Sequence, residues 1–292
     1  CSPQPLSFIQ TSAIVELAKQ HFVIFWNMSQ GEAVAEFLYT RADSCLKEMP
    51  ERIKDRETAT PIQLQQEMEL QKTAQFNLQD VVTQSVLSIA LANLAFLLIL
   101  LELNPSLSQE EFFRMQRNSG ASVIRELEEH CREHSIGDLQ DLVEKVVGRL
   151  ADKLILFAID EANVAQLYDF GRVASKNELL KVSPEWWDST TGTIAKSAQR
   201  GYLTLLFNAL QHLKLPLIAA GTSLTIGTAE VIDSATAKHE YKTEIFHRFS
   251  CCSDPLELLG KLIDISGCVV PEETLRLLRG RFRITVSVLP IL

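Results

Sequence analysis

The sequence lacks the signals of several protein classes. Its 292 residues carry a formal net charge of −9, so there is no broad basic footprint for nucleic acid, although a local patch stays open. The six cysteines have no paired spacing, and no basic segment followed by an apolar one opens the chain. These absences argue against a disulfide scaffold and a signal peptide. They favour reduced thiols in an intracellular protein, cytoplasmic or nuclear.

Several catalytic and metal-binding motifs are also missing. The sequence has no nucleophile elbow, no dinucleotide-binding fingerprint and no recognised zinc-ligand spacing. Two loose groups of histidines and cysteines are therefore interpreted as structural or exposed residues. They are His130, Cys131 and His134, and His239, His247, Cys251 and Cys252.

No GK[ST] phosphate loop precedes Asp160. The nearest string, Gly192–Ser197, has Ala195 in place of the second glycine and follows Asp160 instead of preceding it. Without loop amides and a loop lysine, the β- and γ-phosphates of a nucleotide have no cradle. The chain begins at Cys1 and not Met, and it ends just after an apolar segment, which favours a fragment.

The most informative stretch that is present is Leu154–Gln166, which reads LILFAIDEANVAQ. A short apolar run bounded by polar residues is typical of a strand buried on both faces of a parallel sheet. Ligands bind outside the carboxyl ends of such strands, where Asp160 and Glu161 fall. This is a Walker B pattern, in which the Asp holds Mg²⁺ through water and the Glu orients the attacking water. The alternative is a strand entering a helix, with Asp160 as N-cap and Glu161 in the first turn.

Two further apolar runs, His21–Trp26 and Leu215–Ala220, are predicted to be parallel to this strand in one sheet, with helices on both faces. Lys242–Cys251 is a candidate fourth strand. The fold class is therefore α/β, with a helical insertion at about 47–150. Within it, Lys47–Gln71 is interpreted as a solvated connection or a loosely packed helix pair, broken by prolines.

Val81–Leu101 contains no charged residue and is long enough to suggest a membrane span. Thr83, Gln84 and Ser85 reduce its apolarity, and Glu102 follows at once without a basic cluster. We therefore expect a helix packed inside the domain and no membrane partner.

Other segments carry weaker predictions. Ser108 and Glu111 have the spacing of a capping box. Tyr168–Gly192, with its adjacent tryptophans, is interpreted as a surface insertion or lid, and Thr193–Leu213 as a helix. The tryptophan pair indicates either a contact site or, more commonly, inward packing.

Two polar groups follow the last apolar segments. Gly221, Thr222 and Ser223 follow the third strand, where a small polar residue can sense a γ-phosphate; the alternative is a simple turn. Arg279, Arg281 and Arg283 carry guanidinium groups that suit phosphate oxygens, or they form a solvated basic helix end.

The chain resembles the P-loop ATPase region of Crinkler-type proteins of fungi and oomycetes, which are similar to AAA and STAND-type NTPases. The stretches that carry this resemblance are Leu154–Asn163, Arg200–Leu203, Leu217–Ile226, Leu278–Leu292 and, more weakly, Phe112–Gln116.

The resemblance implies a three-layer P-loop NTPase fold that uses ATP and Mg²⁺ as a conformational switch. Asp160 would be the magnesium carboxylate and Glu161 the catalytic base. Thr222 or Ser223 would be the sensor, Arg281 a second sensor, and Arg279 and Arg283 cofactor-binding residues. The family's phosphate loop would lie just before Ser7–Lys19, so that loop and the strand entering it are expected to be missing. The alternative is a degenerate NTPase fold that acts as a protein-interaction or effector module.

Overall fold

Seven strands form three sheets in the part of the chain that the structure, a computed structural model, describes: residues 14–174, 179–180 and 185–221. All of these residues belong to one compact unit, Gln10–Tyr241. The strands are β1 (Phe22–Asn27), β2 (Ile155–Asp160), β3 (Val173–Ala174), β4 (Trp187–Asp188), β5 (Thr193–Ile194), β6 (Gln199–Arg200) and β7 (Leu217–Ala219).

Helices precede, separate and follow these strands. They are α1 (Ala33–Lys47), α2 (Pro61–Leu103), α3 (Gln109–Arg117), α4 (Ala121–Cys131), α5 (Ile136–Arg149), α6 (Ala162–Leu167) and α7 (Tyr202–Leu210), with a 3₁₀ turn at Gln211–Leu213. Residues 14–17 are also helical.

The largest sheet has the order β1-β2-β7, and both pairings are parallel. Phe22 pairs with Ile155 at one end of the β1–β2 ladder and Asn27 with Asp160 at the other. Phe157 pairs with Leu217 in the β2–β7 ladder. The prediction that these three segments are parallel strands of one sheet is therefore confirmed. Its placement in a three-layer P-loop fold remains a prediction, as does the candidate strand at Lys242–Cys251, which lies outside the described residues.

β1 and β2 are buried on both faces, as their continuous apolar runs require, whereas β7 is half-buried. On one face, Trp26 and Phe157 pack edge to face at a ring distance of 4.6 Å, within the core formed with α1, α2 and α7. On the other face, Phe25 packs against Phe113 of α3 at 5.5 Å, together with Ile14. β2, the middle strand, is buried along its whole length.

A glutamine side chain accepts a backbone hydrogen bond from the outer edge of β1. The amide oxygen of Gln116, on α3, accepts the backbone N–H of Phe25 at 2.8 Å. Gln116 is buried, and this bond fills a position that a neighbouring strand would otherwise occupy. One backbone donor on the outer edge of β1 is thus satisfied by a side chain, whereas no described strand pairs with the outer edge of β7.

The interpretation of Lys47–Gln71 is wrong in its second half, because the longest helix, α2, begins there at Pro61. Pro61 does not break a helix here but occupies its first turn, where the missing N–H removes no hydrogen bond. Thr60 is the N-cap: its hydroxyl accepts the N–H of Gln63 at 3.3 Å, and its own N–H donates to Gln63 Oε1 at 2.8 Å. This reciprocal pair is a capping box. Residues 48–60 are thus the connection, and residues 61–71 are the first turns of α2.

Thr60→Ala is expected to lower the free energy of unfolding by about 1 kcal/mol, because it leaves the first-turn N–H groups without their side-chain acceptor. Urea unfolding monitored by circular dichroism measures this change. Thr40→Ala makes the same substitution on the exposed surface of α1, where it is expected to be neutral or slightly stabilising. Equal effects at the two positions would contradict the role of the cap.

The apolar part of α2 packs in the core between α1, α4, α5 and α7. The helix is long and apolar enough to cross a membrane, but 61% of its most apolar 18-residue window is buried within the fold. The packing supports the prediction of an internal helix.

The prediction for Thr193–Leu213 also needs correction. Thr193–Leu213 is not one helix, since β5, β6 and the buried Ala198 precede α7. The apolar residues of its first half pack in a small separate cluster with Trp186 and Trp187. Trp186 and Trp187 are both buried, at 1% and 8% exposure, which agrees with the inward packing that was expected for one of them and extends it to the other. Ser108 does cap α3, accepting the N–H of Glu111 at 3.2 Å, which is the serine half of the predicted capping box.

Candidate functional site

The carboxyl ends of β1, β2 and β7 meet at one edge of the sheet. Asn27 and Asp160 are paired residues at the ends of β1 and β2, and Gly221 follows β7. The ladder continues beyond β7, because Ala220 N–H donates to Ile159 O at 2.8 Å. The sequence-based placement of polar groups at this edge therefore holds for Asp160 and its neighbour Glu161.

Asp160 is held in one orientation at this edge. The residue is 1% exposed, and its Oδ1 accepts the backbone N–H of Glu161 at 3.0 Å. Its backbone carbonyl accepts the N–H of Met28 at 3.0 Å, which ties the ends of β1 and β2 together. A buried carboxylate needs such partners, because desolvation without hydrogen bonds strongly disfavours the charged form.

Glu161 has a left-handed backbone, with φ 52° and ψ 37°. It precedes the short helix α6 at the N-cap position, but its side chain makes no cap hydrogen bond. The alternative interpretation, with Asp160 as N-cap and Glu161 in the first turn, is therefore wrong. A hydrogen bond of the next residue anchors this turn to the segment after β7: the Ala162 N–H donates to Ala220 O at 2.8 Å. Left-handed conformation in a non-glycine residue is costly and clusters at functional sites.

Glu161→Gly is expected to be more stable than Glu161→Ala by about 1 kcal/mol, because glycine adopts a left-handed backbone without a Cβ clash whereas alanine does not. Both variants remove the carboxylate, so their difference isolates the backbone term. Urea midpoints at equal slope measure it. An alanine variant as stable as the glycine variant would show that this turn is unstrained.

A cluster of three tyrosines packs next to this edge of the sheet. Tyr39 stacks on Tyr168 at a ring distance of 3.8 Å, and Tyr202 packs edge to face against both. Tyr39 OH donates to the backbone oxygen of Met28 at 3.1 Å, and Met28 N–H contacts Asp160. Burial raises the pKa of Tyr39 and of Tyr202, so both hydroxyls stay protonated donors. Sequence reasoning missed this cluster, since its three tyrosines are widely separated along the chain.

The remaining predicted site residues lie outside the described part of the chain: Thr222, Ser223, Arg279, Arg281 and Arg283. Of the predicted set, the structure therefore describes Asp160 and Glu161 together at one edge.

The residues at this edge could supply Mg²⁺ with one or two carboxylate ligands. The described residues contain no group of three or more His, Cys, Asp or Glu able to hold a metal ion. Mg²⁺ does not require one, because it commonly takes one or two carboxylates and keeps water and phosphate oxygens as its other ligands. Asp160 supplies such a carboxylate, already oriented through its Oδ1.

Comparison with protein-family models, with curated proteins and with solved structures gives no match.

Proposed function

We propose that this chain is part of an ATP-binding and ATP-hydrolysing P-loop NTPase that acts as a conformational switch. The observation that carries the proposal is the pair of adjacent carboxylates, Asp160 and Glu161, at the carboxyl end of the middle strand of a parallel sheet. This is where α/β sheets place ligands. The resemblance to Crinkler-type ATPases supports the same assignment.

In this proposal the two carboxylates have different tasks. Asp160, buried and with its Oδ1 accepting the Glu161 N–H, would be the carboxylate that holds Mg²⁺. Glu161, half-buried beyond the end of the strand, orients the attacking water and takes its proton. Bound Mg²⁺–ATP supplies the reactive γ-phosphate and the metal charge that favours its transfer. Thr222 or Ser223, with Arg281, are proposed as γ-phosphate sensors, and Arg279 and Arg283 as nucleotide contacts.

The phosphate cradle is the part that this sequence does not supply. No GK[ST] loop occurs before Asp160, and loop amides with a lysine provide most of the affinity for β- and γ-phosphates. The outer edge of β7 has no described partner strand and is the side on which a further parallel strand would extend the sheet.

The second candidate function is a non-catalytic interaction module on a degenerate NTPase fold. The absence of a GK[ST] loop from the 292 residues favours it. The adjacent glutamate favours the first candidate, since a pure binding fold has no need of a second carboxylate, on a left-handed backbone, beside Asp160.

Calorimetric titration with Mg²⁺–ATP separates the two. Residues 1–292 are expected to bind weakly or not at all, whereas a longer natural form with a GK[ST] loop before Ser7 is expected to bind and hydrolyse ATP. Asp160→Asn in that form is expected to weaken the Mg²⁺-dependent part of binding. Tight binding by residues 1–292 would contradict the assignment of affinity to a missing loop. A longer form without such a loop and without binding would favour the interaction module.

A further inference from the structure

The turn that joins α6 to β3 is attached to α1 by side chains. Tyr168, in the turn, stacks on Tyr39 of α1 at a ring distance of 3.8 Å. Asp43 lies one helical turn after Tyr39, on the same face of α1. Its side chain hydrogen-bonds to the side chains of Tyr168 and Asp169. Two carboxyl groups from distant segments of the chain are thus in direct contact.

The backbone and one oxygen of Asp169 are fixed in this contact. The residue has a left-handed backbone with φ 49°, a conformation that aspartate and asparagine tolerate better than most residues. Its side chain is 12% exposed, and its Oδ1 accepts Arg172 Nη1 at 3.0 Å. Arg172 also donates through Nη2 to Leu46 O, near the end of α1, at 3.4 Å. The first carboxyl oxygen of Asp169 is therefore satisfied by a charged donor.

The second oxygen of Asp169, Oδ2, has no such donor. It is buried, and no N–H or O–H group of the described residues donates to it. The carboxyl of Asp43 is its hydrogen-bonding neighbour, and ionised carboxyl groups only accept hydrogen bonds. Two ionised groups here would repel each other and leave a buried acceptor without a partner, which is costly. One proton removes both costs, because Asp169 Oδ2–H then donates to Asp43.

The groups around the two aspartates agree with a shared proton. Burial raises the pKa of Asp169 above its ordinary value, Arg172 lowers it, and Asp43 raises it through its charge and its hydrogen bond. Burial also raises the pKa of Tyr168, so this hydroxyl stays a donor to Asp43. The other side chains on the elements packed around the pair are Tyr39 and the exposed Lys47 on α1, Tyr202 on α7, the neutral Gln75 on α2, and Arg200 on β6, whose guanidinium donates to Ser197 O and Gln199 O.

We propose that Asp43 and Asp169 share one proton and form a pH-sensitive clasp, which holds the turn after α6 on α1 in acid and loosens when the pair loses that proton. The unfolded chain releases this proton at the ordinary pKa of aspartate, and the folded chain at a higher one. The stability that the proton contributes is therefore fully present below the ordinary pKa and is lost as the pH rises through the raised one. The clasp contains neither Asp160 nor Glu161, so it does not rest on nucleotide binding.

Asp43→Asn puts a permanent donor in place of the shared proton. Its amide group can donate to Asp169 Oδ2, and its carbonyl oxygen can accept the Tyr168 hydroxyl, at any pH. At about pH 8 the unfolding equilibrium constant of this variant is expected to be about tenfold smaller than that of the original chain. The difference is expected to disappear as the pH falls toward about 4. Urea unfolding of residues 1–292 across this range measures both, with the fold of each variant checked by circular dichroism.

Asp169→Asn is the reciprocal variant, and asparagine suits the left-handed backbone at this position. It is expected to change stability in the same direction and with the same pH dependence. The double variant with Asp43→Asn is expected to gain no more than the better single variant, because each substitution removes the same repulsion. Asp80→Asn, on the exposed surface of α2, removes an equal charge elsewhere and is expected to keep the pH dependence of the original chain.

Carbon-13 NMR of the carboxyl groups reads the pair directly. Asp43 and Asp169 are expected to titrate as a coupled pair in the original chain, and Asp43→Asn is expected to lower the pKa of Asp169. Three results would overturn the proposal. They are an Asp43→Asn variant less stable than the original chain at about pH 8, a pH profile that neither single variant changes, and fully additive gains in the double variant.

Discussion

Glu161→Gln, in a longer form of the protein that carries a GK[ST] loop, is expected to lower ATP turnover by about a hundredfold or more, while ATP binding survives. Glutamine keeps the size of the side chain and the left-handed backbone of residue 161, but it cannot accept a proton from water. A positioned general base contributes on this scale. Phosphate release measures turnover, and calorimetry with Mg²⁺–ATP measures binding.

The control for this prediction is Asp160→Asn. It is expected to reduce Mg²⁺-dependent binding as well as turnover, because the metal loses its carboxylate. The two variants are thus expected to differ in Mg²⁺–ATP binding, although both turn over ATP slowly. Turnover unchanged by Glu161→Gln would remove this glutamate from the mechanism and leave the strained turn as a structural feature.

Gly201→Ala is expected to destabilise the fold by about 3 kcal/mol, the upper end of the usual effect of overpacking. A Cβ at Gly201 would overlap the backbone carbonyl oxygen of Gln166, at the end of α6, and its carbonyl carbon at 2.7 Å. A backbone group moves less readily than a side chain. The adjoining hydrogen bond from Tyr202 N–H to Tyr168 O, 3.1 Å long, fixes the start of α7 beside α6. Thermal unfolding is expected to shift down by roughly 6–12 °C for a unit of this size.

Gly148→Ala is the matched control. A Cβ there meets no atom within 4 Å, and the residue is exposed in α5. The same substitution is expected to stabilise by about 0.5–1 kcal/mol, since alanine is the better helix former. A Gly201→Ala variant as stable as the original chain would show that α6 can move away from residue 201 and would contradict the prediction.

The main sheet was predictable because its strands carry continuous apolar runs. β1 and β2 lie within one residue of the predicted segments, since burial on both faces leaves no polar position inside them. The start of α2 was misinterpreted because proline is both a helix breaker and a favoured first residue. The neighbouring Thr60 and Gln63 would have resolved this ambiguity.

The candidate site was predictable in its residues but not in its backbone. Asp160 and Glu161 follow from the end of an apolar run. The left-handed turn at Glu161 is followed by a hydrogen bond from Ala162 N–H to Ala220 O, a contact between distant segments that no local pattern of residues indicates. The cluster of Tyr39, Tyr168 and Tyr202 was inaccessible to sequence reasoning for the same reason: its members come from segments far apart in the chain.

The bond between Gln116 and Phe25 has a consequence for behaviour at high concentration. An open strand edge is a template on which a second molecule can add its own strand, the first step of many fibrous aggregates. At β1 that template is already used by a side chain of the same molecule, which is itself buried under α3. Self-association through this edge would require α3 to detach first. Loss of α3 packing would therefore expose this edge of β1 to a strand of a second molecule.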